Sequence, residues 1–311
     1  MTVSATAREL TVSGTAPSAY RTVQAAIDAL PDKGGDIAIA PGTYREKLSV
    51  TKNGVHLRGT GKAPGDVVLV YGDAAATVGS TFRSATLSAS GDDFRLRNLT
   101  VQNDYWLDPA HPPSQAVALM VTGDRDVFER VRLLGHQDTL YANKGPGGRM
   151  ARQLFRDCYI EGHVDFIFGN AKAYFQRCDI RGLAHGQVMF TAQSRKTADE
   201  DSAYVFDDCR LTAEPGAQNV SLGRPWRPYA TVVFLDTRMG APIIRDGWSE
   251  WHPGETNSLP TTYYAEYRST GPGASPTTRE PHSHQLTAAE AARWRLPAFF
   301  AGDTQWIRRT R

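Results

Sequence analysis

The chain has 311 residues, of which 41% are hydrophobic and 22% are charged, which is ordinary for a soluble globular protein. Its net charge of only +2 gives no indication of a nucleic-acid partner or an anionic membrane surface. No stretch approaches the roughly 18 consecutive apolar residues of a membrane-spanning helix. The length fits one large β domain or two ordinary domains, and we expect a single domain over residues 1–311.

The N-terminal region contains one predicted helix. The first ten residues, MTVSATAREL, lack the basic and apolar regions of a signal peptide, so a secreted protein would have had its signal removed from this sequence. A helix is predicted over about residues 20–31, ending at Pro31. The apolar residues of its inner face are Val23, Ala26, Ile27 and Leu30. We expect this helix to cover the exposed edge of the strands that follow.

A six-residue pattern, beginning with Phe and ending with Leu, Ile or Met, recurs through the middle of the chain. Its copies are FRLRNL, FERVRL, FRDCYI, FQRCDI, FDDCRL and FLDTRM, which start at Phe94, Phe128, Phe155, Phe175, Phe206 and Phe234. Each copy is predicted to be one short strand with alternating patterning, and Gly, Asn, Asp and Pro between copies supply turns. Strands that return every 20–34 residues with few helix signals favour an all-β fold, a right-handed parallel β-helix. A β-sandwich or jelly roll with chance similarity between strands is the alternative.

Two aspartates occupy equivalent positions in this pattern. Asp138 lies ten residues after Phe128, and Asp165 lies ten residues after Phe155. If both segments follow the same path, the two carboxylates lie side by side on adjacent coils, although two surface aspartates near turns would show the same spacing. Adjacent carboxylates do not both ionise cheaply, so one tends to remain an acid while the other can attack an electrophile. Gln137 and Gln115, about one coil apart, are candidates to stabilise an oxyanion, which together suits acyl transfer.

The three cysteines share a position as well. Cys158, Cys178 and Cys209 each follow their Phe by three residues, so they are expected to stack in one column. Neighbouring parallel strands are about 4.8 Å apart, a separation within the range of disulfide Cα distances. A Cys158–Cys178 disulfide is the expected pair because its loop is shortest, and three reduced core cysteines are the alternative.

The C-terminal region, about residues 270–311, is predicted to be an irregular tail followed by a helix. Thr287 and Glu290 form a capping-box pattern that opens the helix. The preceding segment, STGPGASPTTREPHSH, carries turn-forming residues and no apolar periodicity.

Several segments, in this order and spacing, resemble the pectin methylesterases (pectinesterases), a carbohydrate-esterase family. They are GTYREKL (42–48), TFRSAT (81–86), QAVAL (115–119), GHQDTLYA (135–142), GHVDFIFGNA (162–171), LGRPW (222–226) and GWSEW (247–251). Each motif alone is weak, but together they cover roughly residues 20–270. The GHVDFIFG segment and the long NDYWLDPAHPPSQAV segment look more like bacterial members of the family.

The resemblance implies hydrolysis of the C6 methyl esters of galacturonosyl units in pectin, with release of methanol and without metal or cofactor. At matching positions, Asp165 resembles the nucleophile and Asp138 the general acid and base. Gln115 and Gln137 resemble the oxyanion donors, and Arg224 resembles the group that orients the nucleophile. The resemblance also implies a secreted protein whose partner is methyl-esterified pectin (homogalacturonan), with no nucleic acid or membrane partner, and we expect a monomer.

Aromatic residues are the candidates for binding sugar. The resemblance places Trp226, Phe168 and Thr81 on the walls of the cleft. Tyr105 and Trp106, in a polar loop that contains proline, are candidate sugar platforms or residues that cover the coil. His163, which lies close to Asp165, is left out of the catalytic set because alternation does not favour it and the family needs no histidine.

Three other functions remain open. A pectate lyase or polygalacturonase would share the fold but would need a calcium-binding acidic cluster or carboxylates placed for a glycosidic bond. A relative of the same family could hydrolyse another ester, such as a thioester. A non-catalytic β-helix that binds polysaccharide would not depend on Asp138 or Asp165.

Overall fold

The computed structural model describes residues 9–256 and 258–308. Residues 1–8, in which no signal peptide was expected, and the last three residues of the predicted C-terminal region lie outside the described residues. In the described part, paired strands run parallel throughout, and three long sheets form the sides of a β-helix. The predicted right-handed parallel β-helix is confirmed.

The three sheets are named by their order within each coil. Sheet 1 contains the strands Leu10–Val12, Gly35–Ile39, Val55–Gly59, Arg95–Arg97, Asp126–Glu129, Arg152–Arg156, Lys172–Gln176, Ala203–Asp207, Thr231–Leu235, Tyr263–Tyr267 and His284–Gln285. Sheet 2 contains Gly42–Arg45, Val67–Tyr71, Thr100–Asn103, Arg132–Leu134, Tyr159–Gly162, Asp179–Gly182, Arg210–Ala213 and Arg238–Met239. Sheet 3 contains Leu48–Val50, Leu87–Ala89, Leu119–Val121, Leu140–Ala142, Ile167–Gly169 and Thr191–Gln193, and a short pair joins Val188–Met189 to Val220–Ser221.

Helical segments are short and lie between or beyond the strands. The α-helices are α1 (Val23–Ala29), α2 (Ala75–Val78), α3 (Ala288–Ala292) and α4 (Leu296–Phe299). The 3-10 turns are Pro64–Asp66, Thr81–Arg83, Tyr105–Leu107, Pro146–Gly148 and Gln305–Arg308. Among the described residues, no helix is both long and apolar enough to cross a bilayer.

The phenylalanine ladder forms the centre of the core. Phe128, Phe155, Phe175, Phe206 and Phe234 are register partners on successive strands of sheet 1. Successive rings stack with centroids 4.5–4.7 Å apart. Such pairs contribute about 0.5–1.5 kcal/mol each beyond the burial of their area. The ladder therefore aligns each coil with the next through its own core side chains.

Two details of the predicted ladder are wrong. Phe128 pairs with Leu96 and not with Phe94, so the first copy lies two residues out of register. From Phe128 onward, each six-residue copy also contains the end of one strand and the start of the next, because the chain bends at the second residue after the ladder position. That residue has a positive φ in Arg130, Asp157, Arg177, Asp208 and Asp236, and also in Asn98, which is the second residue after Leu96.

The cysteine column is formed, but its thiols are free. The sulfurs of Cys158, Cys178 and Cys209 lie 3.4–3.5 Å from the carbonyl oxygens of Phe128, Phe155 and Phe175, each in the preceding coil. The expected Cys158–Cys178 disulfide is therefore absent from the structure, because each thiol is directed at a backbone acceptor of the coil before it. Thr237 continues the column, with its hydroxyl 3.4 Å from the Phe206 carbonyl.

The two ends of the chain cover different parts of the β-helix. Helix α1 begins after the Thr22 cap and packs on the first strands of sheets 1 and 3, with its predicted apolar face buried. Glu46 accepts hydrogen bonds from the backbone N–H groups of Val23 and Gln24, which anchors the start of the helix. At the other end, the predicted capping box of Thr287 and Glu290 is present.

The C-terminal helices cover the outer face of sheet 1, which the sequence pattern did not predict. Ala291, Phe299, Phe300, Trp306 and Ile307 form a second apolar cluster with outward-facing residues of that sheet. The strands of sheet 1 from Asp126–Glu129 to Tyr263–Tyr267 are therefore covered on both faces.

Candidate active site

The two aspartates lie in equivalent turns between sheets 2 and 3. Leu140 pairs with Ile167 in sheet 3, and each of these residues follows its aspartate by two positions. The backbone N–H of Asp138 donates to the carbonyl of Val164, which connects the two turns. Asp138 and Asp165 therefore occupy neighbouring positions on adjacent coils, as their common offset from the ladder predicted.

Both aspartates have left-handed backbone conformations, with φ of 64° for Asp138 and 51° for Asp165. Aspartate tolerates this region better than most residues. The sharp turn at Asp165 interrupts strand alternation within GHVDFIFGNA. Phe168, which simple alternation would place opposite Asp165, consequently faces the same cleft. Residues held in sparsely populated conformations tend to cluster at functional sites.

Arg224 holds the carboxylate of Asp165 in a two-pronged contact. Its Nε donates to Oδ1 at 2.8 Å, and its Nη2 donates to Oδ2 at 2.7 Å. The remaining nitrogen, Nη1, donates to the carbonyl of Trp251 at 3.0 Å, and the guanidinium lies 4.4 Å from the Trp251 ring centroid. A charge-assisted bidentate pair of this kind holds the carboxylate in one orientation and also favours its ionised form.

The environment separates the acidities of the two carboxyls. Burial raises the pKa of Asp138 well above its usual range, and the neighbouring Asp165 raises it further, while Arg224 acts in the opposite direction. Burial also raises the pKa of Asp165, but the hydrogen bonds and charge of Arg224 oppose that rise directly. Asp165 is therefore the more acidic carboxyl of the pair, and Asp138 is the one that holds its proton more tightly.

Two glutamine side chains border the same cleft. The backbone carbonyl of Gln115 accepts from the N–H of Ala75, and that of Gln137 accepts from the N–H of Ala116. Neither side-chain amide is hydrogen-bonded to another described residue. Gln115 and Gln137 therefore present amide donors beside the two aspartates.

The cleft has a volume of about 230 Å³ and aromatic walls. Its lining residues are Thr81, Phe82, Gln115, Gln137, Asp138, Asp165, Phe168, Ala192, Arg224, Trp226 and Trp251. The three wall residues taken from the resemblance, Thr81, Phe168 and Trp226, all lie in it. Ring contacts run from Phe82 to Tyr141 (4.9 Å), then to Phe168 (4.7 Å) and Trp226 (5.9 Å).

Three aromatic residues of this region were missed from the sequence. Phe82 and Trp251 lie within the quoted segments TFRSAT and GWSEW, where only Thr81 was singled out. Tyr141 follows Asp138 by three residues, as Phe168 follows Asp165, and the two are register partners. The shared spacing of three residues after each aspartate is the sequence signal that places Tyr141 beside Phe168.

Tyr105, a candidate sugar platform, lies outside the cleft lining. Its side chain is buried, its hydroxyl donates to the carbonyl of Pro112, and its ring stacks on His111 with centroids 4.3 Å apart. The proline-containing loop folds back on itself and encloses this ring. Trp106 is half-buried and also lies outside the cleft lining, packed against His136 and His163.

No group of three or more His, Cys, Asp or Glu side chains within residues 9–256 and 258–308 is arranged to hold a metal ion.

The chain shares its fold with solved pectin methylesterases. The pectin methylesterase from carrot superposes with a TM-score of 0.86 at 30% sequence identity, covering 97% of this chain and 95% of the carrot chain. A pectin methylesterase solved in complex with hexasaccharide VII superposes with a TM-score of 0.79 at 29% identity, covering 96% of this chain and 98% of that one. The fold is that of carboxylic-ester hydrolases built on a parallel β-helix.

Sequence comparison then gives the family. The Pectinesterase family model matches residues 9–303. Pectinesterase 31 of Arabidopsis thaliana is 36% identical over 319 residues, covering 97% of this chain and 96% of that protein. The chain belongs to the pectinesterase family.

Proposed function

We propose that the protein hydrolyses the C6 methyl esters of galacturonosyl units in pectin, with Asp165 as nucleophile and Asp138 as general acid and base. The observation that carries this proposal is the asymmetry of the carboxyl pair: Arg224 contacts Asp165 and leaves Asp138 as a buried acid. Family membership and the likeness to a structure with a bound hexasaccharide support a polysaccharide substrate.

In the first step, a carboxylate oxygen of Asp165 attacks the ester carbonyl carbon. The carbonyl oxygen becomes an oxyanion, to which the side-chain amides of Gln115 and Gln137 donate hydrogen bonds. The bond to the methoxy oxygen then breaks, and Asp138 gives its proton to that oxygen, so that methanol leaves. The sugar is now joined to Asp165 as an acyl-enzyme anhydride.

In the second step, Asp138 is ionised and acts as a base. It takes a proton from a water molecule as the water oxygen attacks the substrate carbonyl carbon of the anhydride. The same two amides stabilise the second oxyanion. The bond to the Asp165 oxygen breaks, which releases the galacturonosyl carboxyl group, restores the Asp165 carboxylate and leaves Asp138 protonated for the next cycle.

Arg224 has two tasks in this scheme. Its fork holds both oxygens of Asp165, so that one of them is directed at the substrate. Its charge also keeps Asp165 ionised at a site where burial opposes ionisation. The Trp251 carbonyl and ring hold the guanidinium in turn.

The aromatic walls suit a chain of sugars. Phe82, Phe168, Trp226 and Trp251 present apolar surface to the faces of pyranose rings, while the polar groups converge at the carboxyl pair. We further propose that the protein is a monomeric, single-domain enzyme that acts outside the cell, where methyl-esterified pectin is found.

The test is methanol release from highly methylated pectin by the wild type and by Asp165→Asn, which should lose activity by about 10³-fold or more. Asp157→Asn is the matched control, because Asp157 also has a positive φ and a two-pronged contact with an arginine, Arg177, but is exposed and outside the cleft. We expect Asp157→Asn to retain wild-type activity.

The products decide between the proposal and its alternatives. Methanol release that survives in Asp165→Asn would overturn the assignment of the nucleophile. Unsaturated products from pectin would instead identify a lyase, and new reducing ends a polygalacturonase. Binding of pectin without any product would identify a non-catalytic protein.

A further inference from the structure

Trp106 contacts the three turns that carry Gln115, Gln137 with Asp138, and Asp165. It lies in the 3-10 turn Tyr105–Leu107. Its indole Nε1 donates to the carbonyl of Ser114 at 2.7 Å, directly before Gln115. Its ring stacks on His136, directly before Gln137, with centroids 5.7 Å apart and planes at 15°. The same ring packs edge-on against His163, two residues before Asp165, at 4.7 Å and 79°.

The histidines are themselves part of the ladder register. His136 and His163 each lie eight residues after a ladder phenylalanine, and their rings are 5.5 Å apart. His185 of the next coil stacks on His163 at 4.2 Å. Trp106 therefore packs against a column of imidazole rings, which His136, His163 and His185 contribute from successive coils. Two of these coils carry Asp138 and Asp165.

His163 transmits this packing to the backbone of the nucleophile turn. Its Nδ1 accepts a hydrogen bond from the N–H of Val164 at 2.8 Å, so the ring is neutral with its proton on Nε2. Its own N–H donates to the carbonyl of His136 at 2.9 Å, which connects the two aspartate turns. The ring that contacts Trp106 is thus hydrogen-bonded to the residue directly before Asp165.

We propose that Trp106 is a positioning residue, which sets the Gln115 amide relative to Gln137 and Asp165 by joining Ser114 to the histidine column. It acts through these neighbours, since its ring is not part of the cleft lining. This inference rests on the proposed function, because it assumes that Gln115 donates to the oxyanion. Misplacement of such a donor by about 1 Å is enough to lower turnover by about 100-fold.

A double-mutant cycle separates positioning from simple structural support. Methanol release is measured for the wild type, Trp106→Ala, Gln115→Ala and the double variant. We expect Trp106→Ala to lower kcat by about 10–100-fold in the wild type, but by less than about 3-fold in the Gln115→Ala background, because the group being positioned is then missing. A loss of folded enzyme would instead lower kcat by the same factor in both backgrounds.

Two further variants sharpen the cycle. Trp106→Phe keeps a ring against the histidines but loses the hydrogen bond to the Ser114 carbonyl. Its kcat should therefore lie between the kcat of the wild type and that of Trp106→Ala. Trp294→Ala is the matched control, because this half-buried tryptophan stacks on Tyr263 beside the C-terminal helices. It should lower Tm while its kcat stays within about 2-fold of the wild-type value.

The outcomes distinguish this inference from the function on which it rests. The positioning role would be overturned if Trp106→Ala lowered kcat by the same factor with Gln115 present and with Gln115→Ala, or if it did not lower kcat when Gln115 is present. Either result would leave the proposed function intact. An unchanged kcat in Gln115→Ala would overturn the oxyanion role of that residue and, with it, the inference.

Discussion

Arg224 contacts both carboxylate oxygens of Asp165, at 2.8 and 2.7 Å, although the two residues are 59 positions apart in the chain. Asp138, which is 86 positions from Arg224 in the chain, receives no such contact from the described residues and is buried. One cation placed on one member of a carboxyl pair is therefore the feature that makes the two members chemically different.

The first prediction concerns this cation. Arg224→Gln should lower kcat by about 100-fold or more, because Asp165 loses both its orientation and the charge that keeps it ionised. The acid limb of the pH–activity profile should also move to higher pH, since Arg224 is the group that opposes the rise of the Asp165 pKa. The measurement is the pH dependence of methanol release. An acid limb that stays in place in Arg224→Gln would contradict the assigned role.

The second prediction links acidity to stability. Because burial raises the pKa of Asp138 in the folded state, the folded protein binds this proton more tightly than the unfolded chain does. The stabilisation from this proton is present at low pH and is lost as the pH rises from the ordinary aspartate range towards the raised pKa. Asp138→Asn should therefore raise Tm at pH 7, by about 1–3 °C, and leave it nearly unchanged at pH 4.

Thermal unfolding of both proteins at the two pH values checks this difference. Asp157→Asn controls for the chemical change, because it replaces an exposed carboxylate paired with Arg177 and should produce no rise in Tm. A Tm gain of Asp138→Asn that is equal at pH 4 and pH 7 would argue against the protonation linkage.

The third prediction tests the phenylalanine ladder. Phe175 is fully buried and stacks between Phe155 and Phe206, with centroids 4.7 and 4.5 Å away. Phe175→Ala should lower the free energy of unfolding by about 3–5 kcal/mol, because it opens a cavity where two stacks meet. Denaturant unfolding measures this loss. Phe82→Ala, at a half-exposed cleft position, is the comparison and should change unfolding by less than about 1 kcal/mol.

The fourth prediction concerns the cysteines. Since Cys158, Cys178 and Cys209 are buried free thiols, a thiol reagent should titrate none of them in the native protein and all three after unfolding without reductant. Burial raises the pKa of the Cys158 and Cys178 thiols well above their usual range, which suppresses reaction in the native state. A single titratable thiol after unfolding would show that the Cys158–Cys178 disulfide forms in solution.

The sequence alone was sufficient for the features that repeat from coil to coil. The phenylalanine ladder, the cysteine column and the neighbouring positions of Asp138 and Asp165 all follow from constant offsets, because strands in register place equal offsets side by side. The same reasoning, carried three residues further, places Tyr141 beside Phe168. The resemblance supplied Arg224, which no offset connects to Asp165.

Other features were decided only by the tertiary structure. The loops between coils differ in length, so their residues have no register partner from which a position can be inferred. The loop with Tyr105 and Trp106 is such a case: Tyr105 turns into the loop itself, while Trp106 reaches the histidines of later coils. The predicted disulfide and the predicted register of the first ladder copy were wrong for a related reason. Sequence spacing shows neither the direction of a sulfur atom nor which residue of a strand pairs with its neighbour. The chemical difference between the two aspartates also depends on the tertiary structure, because it requires Arg224 to contact Asp165 and not Asp138.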